Sequence, residues 1–156
     1  YHYPFLNVGW FGLFVTSLNM LPVGQLDGGH ITYAMFGKLH SKIARIAWYV
    51  LLALGAASVF AQLYDLLKVD SPNSIIIALQ NALLPIFNFV QDKAPFIFKS
   101  WFGWLVWAIV LKFVIKLDHP PVMDDSDIGT TRKIIGWITI VILILSFSFN
   151  GIYIIE

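Results

Sequence analysis

The residues best equipped for chemistry crowd into one stretch: Asn19-Met20-Leu21-Pro22-Val23-Gly24-Gln25-Leu26-Asp27-Gly28-Gly29-His30. It carries an amide, a carboxylate, an imidazole, a proline and three glycines between apolar neighbours. Asp27 is a hard oxygen ligand for a metal ion, or a relay point for a proton. The same carboxylate could instead cap the start of a helix. His30 follows three residues later and can share the Asp27 face of a helix. An Asp-x-x-His pair would offer two ligands; a hydrogen-bonded or interfacial imidazole is the plainer reading. Pro22 lacks a backbone donor and disfavours helix at Leu21, so the backbone is expected to break here. Asn19 can bond groups that the break sets free. Gly28 and Gly29 let another helix or an extended peptide approach closely.

The remaining candidates are weaker. His2 and His40 flank apolar stretches and read as solvated. His119 precedes Pro120-Pro121, which stiffens it into an extended loop. Asp124, Asp125 and Asp127 form an acidic cluster, but their spacing is not that of a twelve-residue calcium loop, and a solvated loop is expected. Trp101, Trp104 and Trp107 suit an interfacial belt or helix packing. Cysteine is absent, which excludes disulfides, thiolate metal sites and a cysteine nucleophile.

The elements that must position these groups are apolar to an extent that decides their setting. Of the 156 residues, 58% are hydrophobic and only 12% charged, about half the charged share of a soluble domain. Mean hydropathy is +0.76. So few charges cannot cover a water-soluble globule of this size, and a membrane protein is expected. A net charge of +1 with no basic stripe gives no reason to expect nucleic acid as a partner.

Four stretches are apolar enough to cross a bilayer: residues 5–21, 43–67, 101–117 and 134–155. The last is β-branched, yet in lipid a lone strand leaves its backbone unsatisfied, so helix is expected. Residues 74–90 contain Gln80, Asn81, Pro85 and Asn88 and read as a re-entrant or interfacial helix. Lys38, Lys42 and Arg45 lie between the first and second spans, and Lys116, Arg132 and Lys133 between the third and fourth. With both loops cytoplasmic, the positive-inside rule holds and residues 74–90 do not cross. The expected fold is therefore all-α: a polytopic transmembrane helix bundle of about four spans plus one re-entrant or interfacial helix. The expectation for residues 1–156 is a single transmembrane domain. Tyr1 opens directly onto an apolar run, so the chain reads as the C-terminal portion of a longer protein.

The string Asn19-x-x-Pro22-x-x-x-Leu26-Asp27-Gly28-Gly29 resembles, without gaps, the second signature of the site-2 protease family of intramembrane zinc metalloproteases. His119-Pro120-Pro121, the acidic loop after it and Arg132-Lys133 are similar to the bacterial and plastid branch of that family. The resemblance implies Zn2+ as cofactor, with Asp27 as third protein ligand beside two histidines of an upstream His-Glu-x-x-His helix. It implies that the glutamate of that helix is the general base, and that Asn19 helps to position substrate near the metal. Pro22, Gly28 and Gly29 belong to the same signature. The implied reaction is hydrolysis of peptide bonds in a transmembrane protein or peptide substrate, within a lipid bilayer, the bacterial cell membrane being the expected location.

One departure is large. The chain has no His-Glu-x-x-His, and its one glutamate is Glu156. Two ligands and the base are missing, so the chain alone is expected to be inactive and to depend on residues upstream. The alternatives are a non-proteolytic membrane relative and a transporter-like protein with a broken helix around an ion site.

Overall fold

A computed structural model describes residues 4–117 and 128–146. These residues are helical, with no strand among them. In chain order the helices are α1 (Pro4–Asn19), α2 (Asp27–Phe36), α3 (His40–Leu67), α4 (Ser74–Lys93), α5 (Gly103–Val110) and α6 (Thr130–Ser146). Short 3-10 turns join α2 to α3 at Gly37–Leu39 and follow α4 at Pro95–Lys99, while a π-turn, Leu111–Ile115, extends α5. The described residues fall into two compact units, one of residues 4–49 and 109–146, the other of residues 50–108.

In the first unit, α1 has no buried residue. Phe5 is 91% exposed and Leu13 73%, and the polar groups of its last turns are turned inward. Thr16 Oγ1 donates to the Gly12 carbonyl at 2.8 Å and Ser17 Oγ to that of Phe14 at 2.9 Å. A helix apolar all round, with its hydroxyls satisfied on its own backbone, is built for an apolar surround. It ends at Asn19, as Pro22 requires. The 3-10 turn closes α2 through Gly37, whose φ of 53° is in the left-handed region and whose N–H donates to the Tyr33 carbonyl. Helix α6 packs on α2: Gly136 leaves room for the Met35 side chain, and Trp137 meets Phe36 edge-on at 5.8 Å.

The second unit is an antiparallel-style hairpin of α3 and α4 held by side chains. Phe60 stacks on Phe87 at 4.2 Å, and Tyr64 stacks on the other end of the same cluster at 5.6 Å. Phe98, from the turn after α4, closes it edge-on to Tyr64 at 5.1 Å. Tyr64 Oη donates to Asn88 Oδ1 at 2.6 Å. Gln80 Nε2 donates to the carbonyls of Leu67 and Val69, satisfying acceptors that the end of α3 leaves open. Asn73 caps α4, its Oδ1 accepting from Ile75 N–H at 2.9 Å. Gly55 admits Leu105 against the α3 backbone, and Ser100 Oγ bonds the Leu54 carbonyl at 2.7 Å.

Two helical stretches among the described residues are long and apolar enough to cross a membrane: Asp27–Leu67, counted through its 3-10 turn, and Ser74–Lys93. The second contains the residues expected to be re-entrant or interfacial, and it runs as one helix through Pro85. Helix α1, of 16 residues, is about 24 Å long, against a hydrocarbon core about 30 Å thick. Gly103–Ile115 is shorter again. Helix α6 is described as far as Ser146, so the later part of the fourth expected span lies outside the described residues.

Candidate active site

The candidate residues sit where α1 breaks and α2 begins. After Asn19 the chain tightens, with Met20 N–H still bonding the Thr16 carbonyl and Leu21 N–H the Leu18 carbonyl. Pro22 then ends helical pairing, and the chain folds back through Val23 and Gly24. Leu26 occupies the N-cap position with extended backbone, and Asp27 is the first residue of α2. Asp27 is therefore not the cap; no side chain caps α2. Its carboxylate lies in the first turn, where the helix dipole favours a negative charge, and it is exposed.

The two glycines after it explain how the turn is held. A Cβ at Gly28 would collide with the carbonyl of Met20 and lie 2.6 Å from that of Leu21; one at Gly29 would collide with the carbonyl of Gly24 and lie 2.8 Å from that of Val23. The close approach expected from another helix or a peptide is thus made by the backbone of residues 20–24. Thr32 Oγ1 donates to the carbonyls of Gly28 and Gly29 at 2.8 and 3.0 Å, bracing the same turn from inside.

Gly24 was given no role of its own from the sequence, yet it ties the loop to a distant part of the chain. Its φ is 55°, its N–H donates to the Leu117 carbonyl at 3.1 Å, and a Cβ would meet the Lys116 carbonyl. Lys116 itself has a φ of 65°, costly for a residue with a side chain. The available signal was a third glycine between the proline and the carboxylate.

The other expectations divide. His30 is exposed, one turn after Asp27, and its N–H bonds the Leu26 carbonyl. Asn19 is half-buried and its side chain makes no hydrogen bond among the described residues, so it does not satisfy the broken backbone. His40 was expected in solvent and is instead 1% exposed, with Tyr33 edge-on to it at 5.9 Å; the 3-10 turn folds it under α2. Trp104 is buried against Trp101, the packing role. His2, His119, Asp124, Asp125, Asp127 and Glu156 lie outside the described residues.

Among the described residues no three His, Asp or Glu side chains gather to hold a metal ion. Asp27 fits one ligand position and His30 at most a second, short of the three protein ligands of a catalytic zinc. The donor set among the described residues is therefore incomplete.

Comparison with known proteins bears on the same segment. Residues 2–61 match the model of peptidase family M50. That match takes in less than half of the chain, and over it these residues are similar to the M50, or site-2 protease, family. The M50 segment contains α1, the broken loop, α2 and most of α3, and so every residue of the signature. The chain is 44% identical over 55 residues to Probable zinc metallopeptidase EGY3, chloroplastic, of Arabidopsis thaliana, covering 35% of this chain and 10% of that protein. Over 52 residues it is 44% identical to Probable zinc metalloprotease EGY1, chloroplastic, of the same plant, covering 33% of this chain and 10% of that protein. A third Arabidopsis relative, DDT domain-containing protein PTM, is 44% identical over 52 residues, which are 33% of this chain and 3% of that protein. The chain thus matches about a tenth of the length of the two zinc peptidases. No solved structure matches.

Proposed function

We propose that this chain is the C-terminal membrane portion of an intramembrane zinc metallopeptidase, with Asp27 as one carboxylate ligand of its metal. The observation that carries the reading is the intact signature of the M50 segment in a conformation that presents Asp27. The loop is folded back on two glycines, so the carboxylate stands exposed at the head of a short helix. The missing ligands and the general base would come from residues that precede Tyr1. The chain's own part is to fix one ligand and to wall the site with apolar helix.

The substrate class follows from that wall. An exposed apolar α1 leading into the break suits a substrate that is itself embedded in the bilayer. Such a peptide must be unwound locally, because a helical segment keeps its carbonyls in its own hydrogen bonds. In the full-length protein, Asp27→Asn should lower cleavage of a transmembrane substrate by about a hundredfold or more, a loss of roughly 2.7 kcal/mol in barrier stabilisation. Zinc content should fall and membrane insertion should be unchanged. Full zinc occupancy with normal cleavage would refute the assignment.

For topology, we place four crossings, with α4 along the interface. Gln80, Asn81, Asn88 and Gln91 on α4, with Lys38, Lys42 and Arg45 between the first and second spans and Lys116, Arg132 and Lys133 between the third and fourth, support this. The chain has no cysteine, so single cysteines at Ser41 and Thr130 report cleanly. Labelling of both from one side is the expected result. Labelling from opposite sides would mean that α4 crosses.

One observation favours a second reading. The relative named DDT domain-containing protein matches 33% of this chain under a name that mentions no peptidase. A non-proteolytic relative would keep the α1–α2 scaffold and lack a His-Glu-x-x-His before Tyr1, so the upstream sequence separates the two.

A further inference from the structure

The first unit holds an apolar cavity of about 190 Å³ between α2 and α6, closed at one end by Met20, Pro22 and Gly28 of the loop that leads to Asp27. Ile31, Phe36, Ile43, Trp137, Ile140 and Leu143 supply most of its wall. Two threonines also line it, but both have turned their hydroxyls away. Thr32 Oγ1 bonds the carbonyls of Gly28 and Gly29, and Thr139 Oγ1 bonds that of Ile135. What they present to the cavity is their methyl groups. The lining is thus hydrocarbon throughout, although polar residue types contribute to it.

Basic residues neighbour the cavity's wall residues in the sequence. Phe36 on its wall is followed by Lys38, and Ile43 is preceded by Lys42. On α6, Arg132 lies one turn before Gly136, which abuts Met35, and on the same stripe as Thr139 and Leu143 of the wall. Lys38, Lys42 and Arg132 are all exposed. The α2 contact with α6 through Met35–Gly136 and Phe36–Trp137 therefore brings the basic start of α6 to the basic start of α3. Among the described residues of this unit the one carboxylate is Asp27, at the opposite end of α2. Trp137 stands between the charges and the deeper Ile140 and Leu143, the place an indole takes at a membrane–water boundary.

We infer that this groove binds one anionic glycerophospholipid, an acyl chain lying between α2 and α6 and the phosphate meeting Lys38, Lys42 and Arg132. Volume selects the occupant. A helix is about 10 Å across with its side chains, and a space of about 190 Å³ admits no more of it than a side chain. A stretch of one hydrocarbon chain fits. Charge selects the headgroup, because three exposed cations near the Met35–Gly136 and Phe36–Trp137 contacts favour a phosphodiester over a zwitterion. The inference rests on the membrane setting proposed above, and not on Asp27 being a metal ligand.

The test uses the full chain solubilised in mild detergent. It is exchanged against phosphatidylglycerol or phosphatidylcholine of identical acyl chains, and retained lipid is counted per protein by mass spectrometry. One phosphatidylglycerol per chain should be retained, in preference to phosphatidylcholine by roughly tenfold or more. Changing Lys38, Lys42 and Arg132 together to alanine should abolish that preference. Ile140→Trp, which fills the groove and leaves every charge in place, should lower retention of phosphatidylglycerol as strongly. Equal retention of the two lipids by the parent chain, or undiminished preference in the triple variant, would overturn the inference. So would a photo-crosslinker at position 140 that attaches to polypeptide and not to lipid, which would assign the groove to a peptide. Release of the chain from vesicles by carbonate would overturn this site together with the membrane reading. A carbonate-resistant chain without lipid preference overturns the site alone.

Discussion

The loop before α2 and the α3–α4 hairpin are held together by opposite means. The loop is fixed by backbone against backbone, with three glycines clearing the way for carbonyls of Met20, Val23, Gly24 and Lys116. The hairpin is fixed by side chains: a Phe60–Phe87–Tyr64–Phe98 cluster, a Tyr64–Asn88 hydrogen bond and a Gln80 bridge to the end of α3. Side-chain packing is adaptable, because a neighbour can shift a rotamer to absorb a change. Backbone packing has no such reserve. The loop that presents the candidate ligand is thus less able than the α3–α4 side-chain cluster to accommodate an added atom, which suits a group that must be placed to a fraction of an ångström.

That contrast is sharpest for a methyl group added on either side of the break. Gly28→Ala would drive a Cβ into the Met20 and Leu21 carbonyls, which can move only if the loop unfolds from α2. We expect a loss on the order of 3 kcal/mol or more, the range of forced overpacking and strain. It should be read as a lower melting temperature and as new protease cleavage near residues 20–26. Gly12→Ala is the matched control. Nothing lies within 4 Å of its added Cβ, and alanine is the better helix former by about 1 kcal/mol, so it should be neutral or stabilising. A Gly28→Ala protein as stable as the parent would show that the loop has the latitude denied to it above.

In the hairpin the corresponding change removes one bond and leaves the packing. Tyr64→Phe deletes the hydroxyl that donates to Asn88 at 2.6 Å, while keeping the ring stacked on Phe87 and under the Lys68 ammonium 3.7 Å away. Asn88 is exposed and can find water or a headgroup. A loss of about 1 kcal/mol is expected, seen as a shift of a few degrees in the melting temperature with no new cleavage site. A larger loss than in Gly28→Ala would reverse the comparison.

How much of this could be read beforehand follows the same division. The break at Pro22, the helix after it and the long helix ending at Leu67 are local consequences of residue type, and they were legible. So was the close approach at Gly28 and Gly29, though not the identity of what approaches. A pair of glycines advertises space and is silent on whether a neighbouring helix or the chain's own loop fills it. The tether from Gly24 to Leu117 was not legible, because it joins residues far apart in sequence through main-chain atoms that every residue shares. The burial of His40 was missed for a related reason. Its neighbours Lys38, Ser41 and Lys42 are polar, and the 3-10 turn that tucks the imidazole against Tyr33 depends on Gly37 adopting a positive φ. The shortness of α5 was hidden as well. Its apolar run continues through the π-turn to Ile115, where the backbone turns at Lys116 although the hydropathy does not.

The smallest structural effect is expected at Asn19, and it separates holding the loop from using it. The Asn19 side chain stands at the end of α1 without a hydrogen bond to a described residue, while the backbone around it is already paired through Met20 and Leu21. Removing the amide therefore takes nothing from the fold. Alanine also gains some helix propensity at that position. Asn19→Ala should change stability by less than about 0.5 kcal/mol, the scatter of substitutions that touch no buried feature. If Asn19 faces substrate in the proposed full-length peptidase, the same variant should lower kcat while zinc content stays with the parent. Its effect on cleavage would then exceed its effect on stability by a wide margin, the reverse of Gly28→Ala. Measuring melting temperature, bound zinc and substrate cleavage together in the full-length Asn19→Ala protein decides it. A stability loss as large as that of Gly28→Ala would mean that the amide braces the break after all. Unchanged cleavage with unchanged stability would remove Asn19 from the site and leave Asp27 as the functional residue of the loop.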